Sequence, residues 1–121
     1  MARILIVEDE KSVAAFLQRA LKGAGHTVAL AKDGQDGVAQ AKASLPQLVI
    51  MDLSMPKLNG WDATRQLKAD STTANIPVLA LTSAMTSADR DEAYQAGCDA
   101  FEAKPVDLPR LLARIAELAP A

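Results

Sequence analysis

Chemically capable side chains follow four apolar runs of the sequence, at the point where each run ends. In chain order, the first run is followed by the acids Glu8 and Asp9, the second by the acid Asp52, the third by the hydroxyl of Thr82 and the fourth by the amine of Lys104. If the apolar runs are parallel strands of one sheet, their carboxyl ends lie along one edge, where ligands bind in such sheets. The sequence therefore predicts that three carboxylates, a hydroxyl and an ammonium converge there.

Three carboxylates at one place repel one another, and a divalent cation relieves that repulsion. Mg²⁺ is held by one or two protein carboxylates together with water and phosphate oxygens. An ionised carboxylate such as Asp52 can also attack phosphorus, and the transition state then needs positive charge beside the phosphoryl oxygens. Mg²⁺ and Lys104 would supply that charge, and Thr82 would donate a hydroxyl hydrogen bond.

Each of these residues alone also has an ordinary structural explanation. Acids such as Glu8 and Asp9 favour the start of a helix through its dipole. A lysine such as Lys104 is usually a surface residue. Their joint occurrence at four strand ends favours a functional site.

Four short runs rich in Val, Ile and Leu predict strands that would position these groups, at residues 4–7, 27–30, 48–51 and 77–81, and a weaker run, AFEA, predicts a fifth at 100–103. Strands that alternate with helical segments indicate parallel pairing, and strands that are apolar throughout are typical of a sheet covered on both faces. The pattern predicts an α/β fold of the (βα)₅ type, a doubly wound parallel sheet in a single domain spanning 1–121.

Helical periodicity fills the segments between the strands. The first helix ends at Gly25, and the last follows an N-cap at Asp107. Thr86 with Asp89 predicts a capping box for the fourth helix. The second helix, at 35–44, follows Asp33-Gly34, a pair that could also mark a hairpin.

Composition narrows the classes of protein that fit. Of 121 residues, 50% are hydrophobic and 23% are charged, which is typical of a folded globular domain. The net charge of -2 and the lack of a Lys/Arg cluster argue against direct nucleic-acid binding. The single cysteine, Cys98, excludes an internal disulfide. No apolar run approaches the roughly 18 residues of a membrane span or resembles a signal peptide, so we expect a cytoplasmic protein.

Four motifs together resemble the response regulator receiver domain of two-component signalling, over essentially the whole chain: ILIVEDE, VIMDLSMPKLNG, LALTSA and FEAKP. The resemblance is to the stand-alone, single-domain type. It implies a flavodoxin-like sheet with strand order 2-1-3-4-5. It also implies that Asp52 is the phosphoacceptor and that Asp9 binds Mg²⁺ directly. Glu8 would bind the metal mainly through water, and Ser54 would contribute its backbone carbonyl.

The resemblance further implies a switch. Thr82 and Lys104 would contact the phosphoryl group, and Thr82 and Phe101 would move together when it arrives. The Lys104–Pro105 peptide resembles one that is often cis in the family. The sequence departs from the family at Phe101, where many members have tyrosine, and in the small side chains of Ser54 and Ala84, at positions that tune dephosphorylation.

The implied function is that of a signalling switch rather than an enzyme, although it would assist its own phosphorylation and dephosphorylation. The implied partners are a histidine kinase or histidine phosphotransfer protein, and a downstream protein bound by the face of helix 4, strand 5 and helix 5. Direct partners among nucleic acids or membranes are not expected.

Three other interpretations stay open at this point. The chain could be a receiver fragment of a larger hybrid kinase or regulator, or an interaction module that works without phosphorylation. A phosphohydrolase with an aspartyl nucleophile is disfavoured. Such enzymes have an Asp-x-Asp motif at the nucleophile, whereas the second residue after Asp52 here is Ser54.

Overall fold

The computed structural model describes residues 2–53, 59–83 and 87–119. These residues form five strands and five helices in strict alternation: β1 (Arg3–Val7), α1 (Lys11–Gly23), β2 (Thr27–Ala31), α2 (Gly34–Ser44), β3 (Leu48–Asp52), α3 (Gly60–Ala69), β4 (Val78–Thr82), α4 (Ser87–Gln95), β5 (Ala100–Ala103) and α5 (Leu108–Leu118). All neighbouring strands are parallel, in the order β2-β1-β3-β4-β5. The predicted fold class and strand order are confirmed.

The three inner strands divide their side chains between two apolar layers. Val49 and Met51 of β3 lie in the layer that α2, α3 and α4 cover, and Leu48 and Ile50 lie in the layer that α1 and α5 cover. Successive side chains of a strand point to opposite faces, so a strand covered on both faces must be apolar at every position. This is why the inner strands are continuous apolar runs.

Strand β2 differs from that expectation. It pairs only with β1, and of its five residues only Ala31 is buried. Leu30 is 37% exposed, and the Gln40 side-chain amide of α2 donates a hydrogen bond of 2.9 Å to the Leu30 carbonyl. The apolar pattern of this strand marks an edge that helices cover only in part.

Side-chain caps fix the start of several helices. The Asp33 carboxylate accepts a hydrogen bond of 2.8 Å from the Asp36 amide, so Asp33 is the N-cap of α2 and the hairpin alternative is wrong. Asp107 caps α5 in the same way through the Arg110 amide at 3.3 Å, as predicted. The predicted cap at Thr86 lies outside the described residues. No helix within the described ranges is long and apolar enough to cross a membrane.

A lysine clamps the amino-terminal end of the sheet. The Lys68 ammonium of α3 donates hydrogen bonds to the Ile76 carbonyl at 2.8 Å and to the Asp99 carboxylate at 3.0 Å. The same Asp99 oxygen accepts from the Val78 amide at the start of β4. This clamp ties α3, β4 and the approach to β5 together at the end opposite the predicted site.

Candidate functional site

The four strand ends that carry the predicted site residues lie in register. Val7, directly before Glu8, pairs with Met51, directly before Asp52. Asp52 in turn pairs with Leu81, and Thr82 pairs with Ala103, directly before Lys104. The sheet geometry therefore brings the predicted groups to one carboxyl edge, as parallel pairing required.

Three acids form a compact cluster at that edge. Glu8, Asp9 and Asp52 each offer a carboxylate oxygen, and these oxygens lie within 4.8 Å of one another. Glu8 and Asp52 are buried, whereas Asp9 is exposed. Water can no longer screen the two buried carboxylates fully, so the repulsion among the three acids is strong. A cluster made only of oxygen ligands suits a hard cation such as Mg²⁺ and could hold one.

The cluster is open to solvent on one side. A groove of about 390 Å³ lies beside it, and its lining includes Glu8 and Asp9 together with the lysines Lys11 and Lys32. A hydrated ion can therefore approach Glu8 and Asp9 from this side. The further metal ligand implied by the resemblance, the Ser54 carbonyl, lies outside the described residues.

Lys104 lies between the two buried acids. Its ammonium nitrogen is 2.8 Å from Oε1 of Glu8 and 3.4 Å from Oδ1 of Asp52, and its side chain is only 19% exposed. Burial by itself lowers the pKa of Lys104, but the hydrogen bond that its ammonium donates to Glu8 and the charge of Asp52 outweigh it and hold the pKa above its ordinary value. Lys104 is a charged component of the site and not a surface lysine.

Backbone hydrogen bonds join the strand ends around the cluster. The Leu53 amide donates to the Leu81 carbonyl at 3.0 Å, and the Lys104 amide donates to the Thr82 carbonyl at 2.9 Å. The Glu10 amide donates to Oε2 of Glu8 at 3.1 Å. These bonds hold β3, β4 and the residue after β5 at fixed separations, which limits how far the site groups can drift apart.

Gly60, the first residue of α3, touches the backbone of Asp52. A β-carbon added at Gly60 would contact the Asp52 carbonyl oxygen and would lie 2.5 Å from the Leu53 α-carbon. Real β-carbons do not approach backbone so closely, so only glycine fits here. The Gly60 amide also donates to the Leu53 carbonyl at 3.1 Å. The start of α3 is therefore packed directly against the chain that carries Asp52.

The two predicted switch residues lie on neighbouring strands. Thr82 is buried at the end of β4, and Phe101 of β5 is buried in the layer covered by α2, α3 and α4. The Arg90 guanidinium carbon of α4 lies 5.7 Å from the centroid of the Phe101 ring. The Lys104–Pro105 peptide bond is cis. Ala84, at which the sequence departs from the family, lies outside the described residues.

Comparison with known proteins places this chain in a family. The chain is 43% identical over 115 residues to Protein PilH of Pseudomonas aeruginosa, with 95% of each chain covered. It is 36% identical over 118 residues to the DNA-binding dual master transcriptional regulator RpaA of Synechocystis, but it spans only 49% of that protein's length.

A similar solved structure is the receiver domain of sensor histidine kinase PA1611 from Pseudomonas aeruginosa, which has a magnesium ion coordinated in the active site cleft. Its TM-score is 0.92 at 29% identity, with 99% of this chain and 98% of that chain covered. The sequence model of the response regulator receiver domain matches residues 4–116. The chain belongs to the response regulator receiver domain family.

Proposed function

We propose that the chain is a phosphoacceptor response regulator, a single receiver domain in which Asp52 takes up a phosphoryl group in a Mg²⁺-dependent reaction. The observation that carries this proposal is the arrangement around Asp52. Two further carboxylates lie within 4.8 Å, and the Lys104 ammonium lies 3.4 Å from Oδ1 of Asp52. A nucleophilic carboxylate, a set of metal ligands and a fixed positive charge thus occupy one small volume.

The chemistry follows from the charges of these side chains. An oxygen of Asp52 attacks the phosphorus of a phosphohistidine, the phosphorus–nitrogen bond breaks, and its electron pair returns to the imidazole nitrogen. No base is required, because an ionised carboxylate has no proton to lose. Lys104 stays protonated in this setting and can follow the incoming phosphoryl oxygens from its present place beside Asp52.

The metal-binding groups of this proposal are Glu8, Asp9 and Asp52, with the Ser54 carbonyl as the further ligand that the family resemblance supplies. A magnesium ion held there would neutralise part of the charge that develops on the phosphoryl oxygens. The oxygen-only cluster and the excess of three carboxylates over one ammonium support this assignment.

The signal would leave the site through β5. Phosphorylation adds close to two negative charges beside Thr82, and a hydroxyl that moves to meet them frees space for Phe101. Two contacts support transmission to the helices on either side. Arg90 of α4 covers the Phe101 ring, and the buried Glu102 carboxylate binds Arg110 at 3.4 Å and Arg114 at 3.0 Å on α5. A shift of β5 would thus alter the surface formed by α4, β5 and α5.

The partners of this proposal are proteins. A histidine kinase or a histidine phosphotransfer protein would donate the phosphoryl group, and a downstream protein would bind the face of α4, β5 and α5. We propose the cytoplasm as its location and neither nucleic acid nor membrane as a direct partner. Because the chain spans about half of RpaA, the output of any longer protein is a separate question.

The test is phosphorylation of the purified chain by a small acyl phosphate, followed by intact mass. We expect one phosphoryl group to be added with Mg²⁺ and none with a chelator. Asp52→Asn should abolish the addition. Asp107→Asn, which changes another carboxylate but keeps a good helix cap, should not. Uptake by Asp52→Asn equal to wild type, or no uptake by wild type with Mg²⁺, would refute the proposal.

A further inference from the structure

Thr64 of α3 carries a buried hydroxyl whose direction is fixed. Its residue is completely buried, and its Oγ1 donates a hydrogen bond of 2.7 Å to the Gly60 carbonyl, one turn earlier in the helix. Bonds of this kind between a threonine and the fourth residue before it adjust the local bend of a helix. Here the bond acts on the first residue of α3.

Cys98 supplies the other side of this hydrogen-bonded chain. Its Sγ donates to Oγ1 of Thr64 at 3.9 Å, from the segment that leads into β5. Burial raises the pKa of Cys98 to about 11, so the thiol keeps its proton at neutral pH. Because the Thr64 oxygen accepts from this thiol, its own proton is directed to the Gly60 carbonyl.

A displacement of Gly60 would be transmitted to the end of β3, which carries Asp52. Gly60 has no space on the side of Asp52 and Leu53, since a β-carbon there would lie 2.5 Å from the Leu53 α-carbon. It is also bonded to the Leu53 carbonyl through its amide. The Thr64 hydroxyl, Gly60 and the Asp52 backbone are therefore three consecutive contacts in a packed interior.

We infer that Thr64 is a positioning residue for Asp52, an inference that rests on the proposed function above. The Thr64 hydroxyl holds Gly60 in position against the main chain of Asp52. It thereby controls the distance of the Asp52 carboxylate from the other charged groups of the site. Through its hydroxyl, Thr64 reaches the main chain of Gly60, which in turn packs against the main chain of Asp52. On this account it acts on the site through the backbone of Gly60.

The size of the effect follows from contact distances. A valine methyl in place of the hydroxyl needs about 3.3 Å or more from the carbonyl oxygen, against 2.7 Å for the present hydrogen bond. Gly60 must therefore shift by roughly half an ångström. Displacements of about 1 Å can reduce a reaction about 100-fold, and lost supporting bonds weaken metal sites by about 10- to 100-fold. We expect about a tenfold loss for Thr64→Val.

The experiment compares Thr64→Val with Thr64→Ser, which keeps the hydroxyl. Mg²⁺ affinity is read from the fluorescence of Trp61, the only tryptophan and the neighbour of Gly60. The phosphorylation rate at saturating Mg²⁺ is read with the acyl phosphate. Thr73→Val is the matched control, because the completely buried Thr73 hydroxyl binds the Leu67 carbonyl at 2.6 Å, near the opposite end of α3.

The expected result separates positioning from general stability. Thr64→Val binds Mg²⁺ about tenfold more weakly and accepts phosphate more slowly, Thr64→Ser stays within about threefold of wild type, and Thr73→Val lowers the unfolding midpoint without changing either reading. If Thr64→Val does not fold, Thr64→Ala takes its place, with an expected loss of at least about threefold.

The inference is wrong if the hydroxyl-free variant matches Thr64→Ser and wild type in both readings, or if Thr73→Val weakens Mg²⁺ binding equally. In either case the proposed function stands so long as wild type is phosphorylated. A wild-type chain that takes up no phosphoryl group overturns the proposed function itself and this inference with it.

Discussion

Replacing Lys104 by methionine removes the only ammonium within 4 Å of the two buried site acids among the described residues. At an effective dielectric constant of about 20, its attraction amounts to about 6 kcal/mol with Glu8 at 2.8 Å and about 5 kcal/mol with Asp52 at 3.4 Å. Most of this attraction offsets the cost of burying the charges. Removing one partner of a buried ion pair costs about 3–5 kcal/mol. Because Lys104 is 19% exposed, we expect the lower end, about 3 kcal/mol, without metal.

The assay is urea unfolding of wild type and Lys104→Met, with a chelator and then with millimolar Mg²⁺. The cation can replace the missing positive charge, so Mg²⁺ should raise the free energy of unfolding of Lys104→Met more than that of wild type. The control is Lys68→Met, which breaks the ion pair with Asp99 at the opposite end of the sheet. That variant should lose stability that Mg²⁺ does not restore.

The pH dependence of the same comparison has a defined sign. The pKa of Lys104 is raised in the folded protein above its ordinary value of 10.5. Its stabilising contribution is therefore complete below pH 10.5 and is lost as the pH rises through the folded-state pKa. On the alkaline side of neutral pH, the difference between wild type and Lys104→Met should therefore shrink only at that limit. A metal-free difference below about 1 kcal/mol at neutral pH, or equal rescue of both lysine variants by Mg²⁺, would refute this account of the site.

Two further predictions concern stability alone. The pKa of Cys98 is about 11 in the folded protein against an ordinary value of 9.0, so the unfolded chain releases the thiol proton first. The free energy of unfolding should then fall between pH 9 and 11 by about 1–3 kcal/mol more in wild type than in Cys98→Ala. The measurement is urea unfolding at each pH, and an equal fall in the two proteins would contradict the assignment. Asp33→Ala should lower the free energy of unfolding in urea by about 2 kcal/mol, and Asp107→Ala should lower it by about 1 kcal/mol. The reason is that Asp33 is buried and its cap hydrogen bond is 2.8 Å long, whereas that of Asp107 is 3.3 Å long. The reverse order would refute this reasoning.

The sequence was sufficient to predict those features that local pattern and parallel topology determine together. Continuous apolar runs identified β1, β3 and β4 as covered on both faces. The same topology places the carboxyl ends of the strands side by side, which is why the sequence alone is enough to group Glu8, Asp52 and Lys104.

Other features depend on distances that no local pattern contains. Glu8 and Lys104 are 96 residues apart, and each alone suggested a helix dipole contact or a surface charge. Their ion pair exists only once β1 and β5 have taken their places in the sheet. The tight contact of Gly60 with Asp52, and the bond that Thr64 makes behind it, depend on the depth at which α3 packs.

The exposed strand β2 has a consequence for how separate molecules behave toward one another. An uncovered strand edge is a template on which a second chain can add a strand and begin to aggregate. In this chain α2 occupies polar groups of that edge, because Gln40 donates to the Leu30 carbonyl and the Asp36 carboxylate accepts from the Lys32 amide at 3.1 Å. Gln40 also donates to Asp36 at 3.2 Å, which joins the two contacts. The helix that follows β2 thus occupies part of the edge on which a strand of a second molecule would have to pair.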